Sequence, residues 1–119
     1  MKPLGELEAV VMERLWAADG PLSVREVQAV LAPDRPLAYT TVMTVLDHLH
    51  RKGYVTREKQ GKAYRYSSAT SRDEHAADLL GQALASSGDR GAALMHFVGR
   101  MAPEEVAELR AALTGRDDA

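Results

Sequence analysis

The side chains best suited to chemistry lie between Tyr39 and Ser67, and the chemistry that they suit is contact with DNA. Thr40, Thr41 and Thr44 lie on the outward side of a predicted amphipathic helix. A threonine can hydrogen-bond to several bases and place its methyl against that of thymine. Alternatively, these threonines cap the helix and face solvent. The candidate contacts from this helix are Tyr39, Thr40, Thr41, Met43, Thr44, His48 and Arg51.

A basic hairpin is predicted directly after this helix. Its strands, at about 54–59 and 63–67, flank the turn Gln60-Gly61-Lys62. Cationic side chains at such a tip can bind phosphates, which position a protein on DNA without reading its sequence. Alternatively, the charged tip is merely solvated. The candidate contacts from the hairpin to the DNA backbone are Arg57, Lys59, Gln60, Lys62, Tyr64 and Arg65.

Asp47 is the acidic residue on the outward side of the same helix. A carboxylate repels phosphate, so three roles stay open for it. It accepts a hydrogen bond from cytosine, it pairs with Arg51 four residues later, or it points away from DNA. We assign Trp16 to the core rather than to a binding platform. Tyr39, at the helix entrance, could donate its hydroxyl proton to a phosphate.

Composition favours a nucleic-acid partner and argues against an enzyme. Residues 35–70 hold seven Lys/Arg against two Asp/Glu, whereas residues 71–119 hold five against nine. The first stretch creates a local positive field that attracts a polyanion. The chain has no cysteine, which excludes disulfides and thiolate metal sites. Its four histidines do not form a metal box, and no catalytic constellation is evident, so we expect no metal, no cofactor and no catalysis.

The chain shows no membrane signal. No apolar run approaches the roughly 18 residues of a membrane span, and acidic residues interrupt the first 20 positions. We therefore expect a cytoplasmic protein without a membrane partner.

Three helices should position the candidate contacts. The first spans about 5–18, the second begins at Val24 after the capping box Ser23–Glu26, and the third spans about 39–52 and stops at Gly53. In the third helix a single apolar stripe faces inward, at Val42, Val45, Leu46 and Leu49. In the first helix we expect Leu7, Val10, Val11 and Leu15 inside, and Glu6, Glu8, Glu13 and Arg14 outside. Three helices followed by a hairpin is the order of a winged helix-turn-helix.

A run of small polar residues at 67–71 separates this part from three further predicted helices. We therefore predict a mostly α protein with a small β-hairpin: a winged-helix DNA-binding domain at 1–70 and a helical dimerisation domain at 71–119. The later helices carry apolar faces that need a partner surface. Either they fold back on the first domain or, as we expect, they pair with a second copy. The candidate interface residues are Leu79, Leu80, Leu84, Leu94, Phe97, Val98, Met101, Val106, Leu109 and Leu113.

Four segments resemble the penicillinase repressor family, which includes BlaI and MecI. They are LGELEAVVMERLW at 4–16, TTVMTVLDHLHRKGYV at 40–55, YRYS at 64–67 and FVGRMAPEEVAELRAAL at 97–113. The resemblance spans nearly the whole chain in order and spacing. It implies a homodimeric repressor whose winged domain binds a palindromic operator and whose C-terminal helices form the dimer. Its implied targets are β-lactam resistance genes or, in some members, stress or copper genes.

The sequence departs from the family pattern at points that concern induction. The family often has arginine where this chain has His48. Members inactivated by proteolysis are cut at an Asn-Phe bond, and the matching pair here is His96-Phe97. The copper-sensing branch uses C-terminal cysteines, which this chain lacks. The resemblance implies a sensor protease acting upstream as a candidate partner and His96-Phe97 as the candidate cleavage site, but because of these departures the inducing signal stays open.

These observations predict a homodimeric winged-helix transcriptional repressor that occupies an inverted-repeat operator in double-stranded DNA. One alternative is a ligand-responsive winged-helix regulator of another family. The other is a winged helix that serves as a protein–protein adaptor, which the basic stretch at 35–70 argues against.

Overall fold

The computed structural model describes residues 3–117 of the chain. The elements are α1 (Glu6–Ala17), β1 (Leu22–Ser23), α2 (Val24–Leu31), α3 (Tyr39–Lys52), β2 (Val55–Gln60), β3 (Ala63–Ser68), α4 (Arg72–Ser86), α5 (Arg90–Gly99) and α6 (Pro103–Asp117). This is the predicted mostly α fold with a small sheet. The helices and strands of the predicted winged helix-turn-helix occur in the expected order.

Local chemistry explains where the helices that present the candidate contacts begin and end. At the start of α2 the Ser23 hydroxyl accepts from the Glu26 N–H at 3.1 Å, and the Glu26 carboxylate accepts from the Ser23 N–H at 3.0 Å. This capping box satisfies N–H groups that the helix leaves unpaired. At the end of α3, Gly53 adopts φ 85°. Residues with a side chain rarely adopt this left-handed conformation, so glycine suits a helix stop that turns directly into β2.

The three strands form an antiparallel sheet in the order β1-β3-β2. Arg57 lies opposite Tyr66, and Glu58 lies opposite Arg65. Because successive side chains of a strand point to opposite faces, Arg57 shares a face with Tyr64 and Tyr66, whereas Arg65 lies on the other face. This alternation decides which cations of the hairpin can lie beside α3.

The core is formed where α1, α2 and α3 pack against the sheet. The inward stripe of α3 is confirmed, since Val42, Val45, Leu46 and Leu49 are all buried. The other buried apolar side chains are Val11, Met12, Leu15, Val24, Val27, Leu31, Tyr54, Val55 and Tyr66. With one side of α3 buried in this way, the opposite side is left for a partner.

The expected orientation of α1 is wrong at Glu8, which is buried rather than outward. Its Oε1 accepts from the Gly5 N–H and from Lys52 Nζ, each at 2.6 Å. Burial raises the pKa of Glu8, but the bonds from Lys52 and Gly5 outweigh it and hold the pKa below its ordinary value. The pair ties the start of α1 to the last turn of α3. The helical pattern of α1 could not reveal it, because Lys52 lies 44 residues away.

The assignment of Trp16 to the core agrees with the structure. The indole is partly buried against the core cluster, and its Nε1–H donates to the Thr70 carbonyl at 3.0 Å. The ring of His75, which is buried, lies 5.3 Å from that of Trp16 and 5.5 Å from that of Tyr54. Trp16 therefore fastens the segment after β3 to α1 and is not a surface platform.

The chain divides into two compact units, one ending at His75 and the other beginning at Ala76. In the second unit no side chain between residues 76 and 116 is buried in the single chain. Large apolar side chains there stay open, including Leu80, Phe97 and Leu113, each more than half exposed. No helix within residues 3–117 is both long enough and apolar enough to cross a membrane.

Candidate nucleic-acid interface

The outward side of α3 carries the predicted contacts. Thr40, Met43, Thr44, His48 and Arg51 are exposed. Tyr39 is 39% exposed at the start of the helix, and Thr41 is partly buried. We call this face of α3 the reading face. Its N-terminal end, which carries the three threonines, is the part of such a helix that meets base edges in helix-turn-helix proteins.

Two surface grooves run along the flanks of the reading face. One, of about 540 Å³, lies towards the start of α1 and is lined by Leu7, Thr40, Thr41, Thr44 and His48 among others. The other, of about 340 Å³, lies towards the sheet and is lined by Met43, Thr44, Asp47, Arg57, Tyr64 and Tyr66. Thr44 lines both grooves and therefore lies between them, in the middle of the reading face.

The hydroxyl of Thr44 donates to the Thr40 carbonyl at 2.9 Å, one turn earlier in α3. This bond engages the hydroxyl proton with the backbone and leaves the oxygen lone pairs and the methyl to face outward. Thr44 can therefore accept from an amino group of a base or contact a thymine methyl. The structure narrows the predicted chemistry of this residue to an acceptor and an apolar contact.

Asp47 pairs with Arg51, which is one of the three roles that the sequence left open. Its Oδ2 lies 2.9 Å from Arg51 Nη2. Its Oδ1 also lies 3.6 Å from Arg57 Nη1 in β2, a partner that the sequence did not indicate. One carboxylate thus joins the reading face to the hairpin of β2 and β3, which we call the wing.

Arg57 is fixed within the wing. Its guanidinium lies 4.3 Å from the centre of the Tyr64 ring. A hydrogen bond with the Tyr66 side chain raises the pKa of Arg57 above its ordinary value. Its side chain is only 26% exposed. Arg57 therefore positions the wing against α3, whereas the tip residues Lys59, Gln60 and Lys62 are exposed.

Arg65, another predicted backbone contact, lies on the side of the sheet that faces away from α3. Its Nη2 donates to the Pro21 carbonyl at 2.8 Å and lies 3.1 Å from the Glu26 carboxylate. The hydrogen bonds of Ser23 lower the pKa of Glu26, which keeps that carboxylate charged. Strand alternation places Arg65 on the opposite face, where it links β3 to the start of α2.

Sequence reasoning missed Arg25 as a candidate contact. Its guanidinium lies 5.1 Å from the centre of the Tyr39 ring. Both residues line a groove of about 250 Å³ together with Met43, Lys62 and Tyr64. A usable signal is present, because Arg25 lies within the Ser23–Glu26 capping box, in the first turn of the helix that precedes α3.

The remaining candidate residues lie in the second unit. His96 and Phe97, the pair at the position of the family's cleavage site, lie within α5 and are exposed. The candidate interface residues Leu84, Met101 and Val106 are partly buried, and the other seven are exposed in the single chain. Within residues 3–117, no three His, Asp or Glu side chains gather closely enough to hold a metal ion.

Residues 4–115 match the family model for the penicillinase repressor. The chain belongs to the penicillinase repressor family. The resemblance read from the sequence is therefore confirmed, and this family member is a DNA-binding transcriptional repressor. The transcriptional regulator BlaI of Mycobacterium tuberculosis is 47% identical to it over 113 residues, which cover 92% of this chain and 82% of that protein.

Two solved structures confirm the fold of this family member. BlaI of Bacillus licheniformis, in its monomeric form in complex with the blaP half-operator, matches with a TM-score of 0.51 and 22% identity, over 61% of this chain and 88% of that one. A MarR family protein from Bacillus stearothermophilus matches with a TM-score of 0.52 and 18% identity, over 98% and 75% of the two chains. At these identities the likeness shows a shared winged-helix fold.

Proposed function

We propose that this repressor binds an inverted-repeat operator as a homodimer. Each subunit inserts the reading face of α3 into a major groove and lays the wing on the adjacent backbone. The observation that carries this proposal is the common position of the reading face and the wing along one groove, joined through Asp47 and Arg57. Repression then needs no chemistry, because occupancy of a promoter blocks its use.

Two groups of side chains divide the work in this arrangement. The three threonines and Met43 face the base edges, where donors, acceptors and methyl groups differ between base pairs. Arg51 and the cations at the wing tip contact phosphates, together with Arg25 and the Tyr39 hydroxyl at the entrance of α3. Phosphate contacts set the register of the protein on the duplex, and the base contacts select the sequence.

The second unit supplies the dimer in this proposal. Its exposed apolar side chains gain stability when a second copy covers them, since burial of apolar surface is favourable by about 25 cal/mol per Å². A two-fold pair of subunits presents two reading faces, which matches a target with two inverted half-sites. Both the dimer and the assigned interface residues are part of the proposal.

The relatives support a biological role that is part of the proposal. BlaI of Bacillus licheniformis is bound to a blaP half-operator, which supports our proposal that this repressor acts at genes of β-lactam resistance or a related stress response. Action on these genes would take place in the cytoplasm. A sensor protease acting upstream, with cleavage at His96-Phe97, is the candidate route of induction. A gene for such a protease beside that of the repressor would support this route.

Selection of duplexes from a random pool by the full-length protein tests the proposal. We expect an enriched inverted repeat whose half-site centres lie about 10 base pairs, or a multiple of that, apart. Sedimentation at micromolar concentration should show a dimer. A protein that enriches no sequence, or that stays monomeric at that concentration, would refute operator binding by a homodimer.

Thr44→Ala and Lys62→Ala should weaken DNA binding in different ways. Thr44→Ala should cost about 1 kcal/mol on the selected duplex and little on a scrambled one, because it removes a base contact. Lys62→Ala should weaken both duplexes alike and reduce the log–log salt slope by about 0.9, because it removes one phosphate contact. Gel shifts over a salt series measure both effects.

Two further variants separate the two contacts open to Thr44. Thr44→Val keeps the methyl and removes the acceptor, whereas Thr44→Ser keeps the acceptor and removes the methyl. The variant that binds the selected duplex like the wild type identifies the contact that matters. Equal losses on selected and scrambled duplexes for both Thr44→Ala and Lys62→Ala would contradict the division between base and phosphate contacts.

A further inference from the structure

Asp47 is the acidic residue of α3, and its carboxylate lies between cations from two elements. Arg51 lies 2.9 Å away, one turn later in α3, and Arg57 lies 3.6 Å away in β2. The Asp47 side chain is 35% exposed. This negative charge therefore lies where the reading face contacts the wing, on the surface that we propose binds DNA.

The two arginines are held differently. The guanidinium of Arg57 packs on the ring of Tyr64, 4.3 Å from its centre, and the Arg57 side chain is only 26% exposed. Arg51 is 73% exposed, and within residues 3–117 Asp47 is its ion-pair partner. A phosphate that approaches this surface can therefore draw Arg51 away from Asp47, whereas Arg57 stays in the wing.

The charge of Asp47 acts against every duplex. It competes with phosphate for Arg51, and it repels the phosphates that line the groove. Because phosphates are the same along any DNA, this penalty does not depend on base sequence. A donor on a base edge can offset this penalty. The major groove offers the amino groups of cytosine and adenine, and the carboxylate suits cytosine, because the acceptor N7 beside the adenine amino group repels it.

We infer that Asp47 is a specificity-determining residue of this repressor. It weakens binding to DNA of arbitrary sequence, and its cost is offset where a cytosine in the half-site presents an amino group to the carboxylate. This inference rests on the proposed placement of α3 in the major groove. Asp47 would thus help to discriminate between base sequences, although its negative charge weakens binding to DNA in general.

The test compares full-length wild type with Asp47→Asn on two duplexes. One carries the sequence selected by the wild type, and the other is a scrambled duplex of the same base composition. Fluorescence anisotropy over a salt series should show the variant binding the scrambled duplex about fivefold more tightly, with a salt slope steeper by about 0.9 because Arg51 is released to phosphate. Affinity for the selected duplex should change less than twofold or fall.

A repeated selection with Asp47→Ala supplies a second measurement, because alanine, unlike asparagine, keeps no oxygen that could accept from cytosine; thermal unfolding checks that this variant is folded. We expect the preference for a C·G pair to be lost at one position of each half-site and the other preferences to persist. Retention of every preference would refute the contact between Asp47 and cytosine.

Asp34→Asn is the matched control. It makes the same change of charge in the exposed Asp34–Arg14 pair, at 2.8 Å, which lines none of the grooves beside α3. We expect it to leave the ratio of the two affinities unchanged, and thermal unfolding should show both variants folded.

Three outcomes would overturn the assignment of Asp47. Equal tightening on both duplexes would make Asp47 a general repulsive charge, and behaviour identical to that of Asp34→Asn would leave it no role at DNA. In both cases operator binding by the wild type stands. If the wild type itself does not prefer its selected duplex, the proposed function fails and the role of Asp47 fails with it.

Discussion

Phe97→Glu is expected to convert the repressor into a monomer and to lower its affinity for the selected inverted repeat by roughly 100-fold or more. The Phe97 side chain lies on α5 and is 54% exposed in the single chain. In a two-fold interface the substitution introduces two carboxylates in place of two apolar rings, and their loss of water opposes association. A monomer then binds one half-site at a time and loses the high effective concentration that a second reading face supplies.

Sedimentation at micromolar concentration and anisotropy on the selected duplex check this result. Met95→Glu is the matched control, because Met95 lies on the same helix, is 77% exposed and stands outside the proposed interface. We expect that variant to stay dimeric and to bind like the wild type. If both variants dissociate alike, or if Phe97→Glu remains a dimer, the proposed interface is wrong.

Glu8→Ala is expected to lower the free energy of unfolding by about 2–3 kcal/mol. Its carboxylate is buried and its partner Lys52 is 26% exposed. Removal of one member of a fully buried pair costs about 3–5 kcal/mol, and the partial exposure of Lys52 reduces that figure. The Gly5 N–H loses its acceptor as well. Denaturant unfolding at neutral pH measures the loss.

Glu13→Ala is the control for this prediction. Glu13 lies on the same helix and pairs with Arg72, but both side chains of that pair are 56% exposed. Exposed pairs contribute about 0–1 kcal/mol, so the two substitutions should differ by more than about 1 kcal/mol. Equal effects would show that burial of Glu8 adds nothing to its ion pair.

The contribution of Glu8 should also depend on pH. The folded state holds its pKa below the ordinary value of 4.5, so the unfolded chain takes up the proton first as the pH falls. The stability that Glu8 supplies is therefore complete above the ordinary value and is lost as the pH drops through the lowered one. The gap between wild type and Glu8→Ala should narrow from neutral pH to about pH 3. A gap that stays constant over that range would contradict the lowered pKa.

Features of the fold that depend on neighbouring residues could be predicted from the sequence. The inward stripe of α3 follows from helical spacing, and its end follows from Gly53. The start of α2 follows from the Ser23–Glu26 capping box. The reading face could also be predicted, because the buried stripe of α3 determines which residues of that helix face outward.

Features that depend on residues far apart in the chain could not be predicted. Glu8 is polar and was placed outside, since nothing in α1 shows that Lys52 arrives from the far end of α3. The charge of Arg65 is visible in the sequence, but its bonds to Pro21 and Glu26 depend on the strand register, which the sequence does not show. The sequence offers Arg51 as one possible partner of Asp47, but the second partner, Arg57, comes from β2 and appears only in the folded chain.

The sequence by itself therefore determined the family, the order of the elements and the side of α3 that faces outward, because these follow from local periodicity, capping and turn residues. The tertiary structure decided which charges pair within the protein and which stay exposed. An ion pair forms where two chain segments meet, and its geometry is set by packing and strand register rather than by the spacing of residues along one segment.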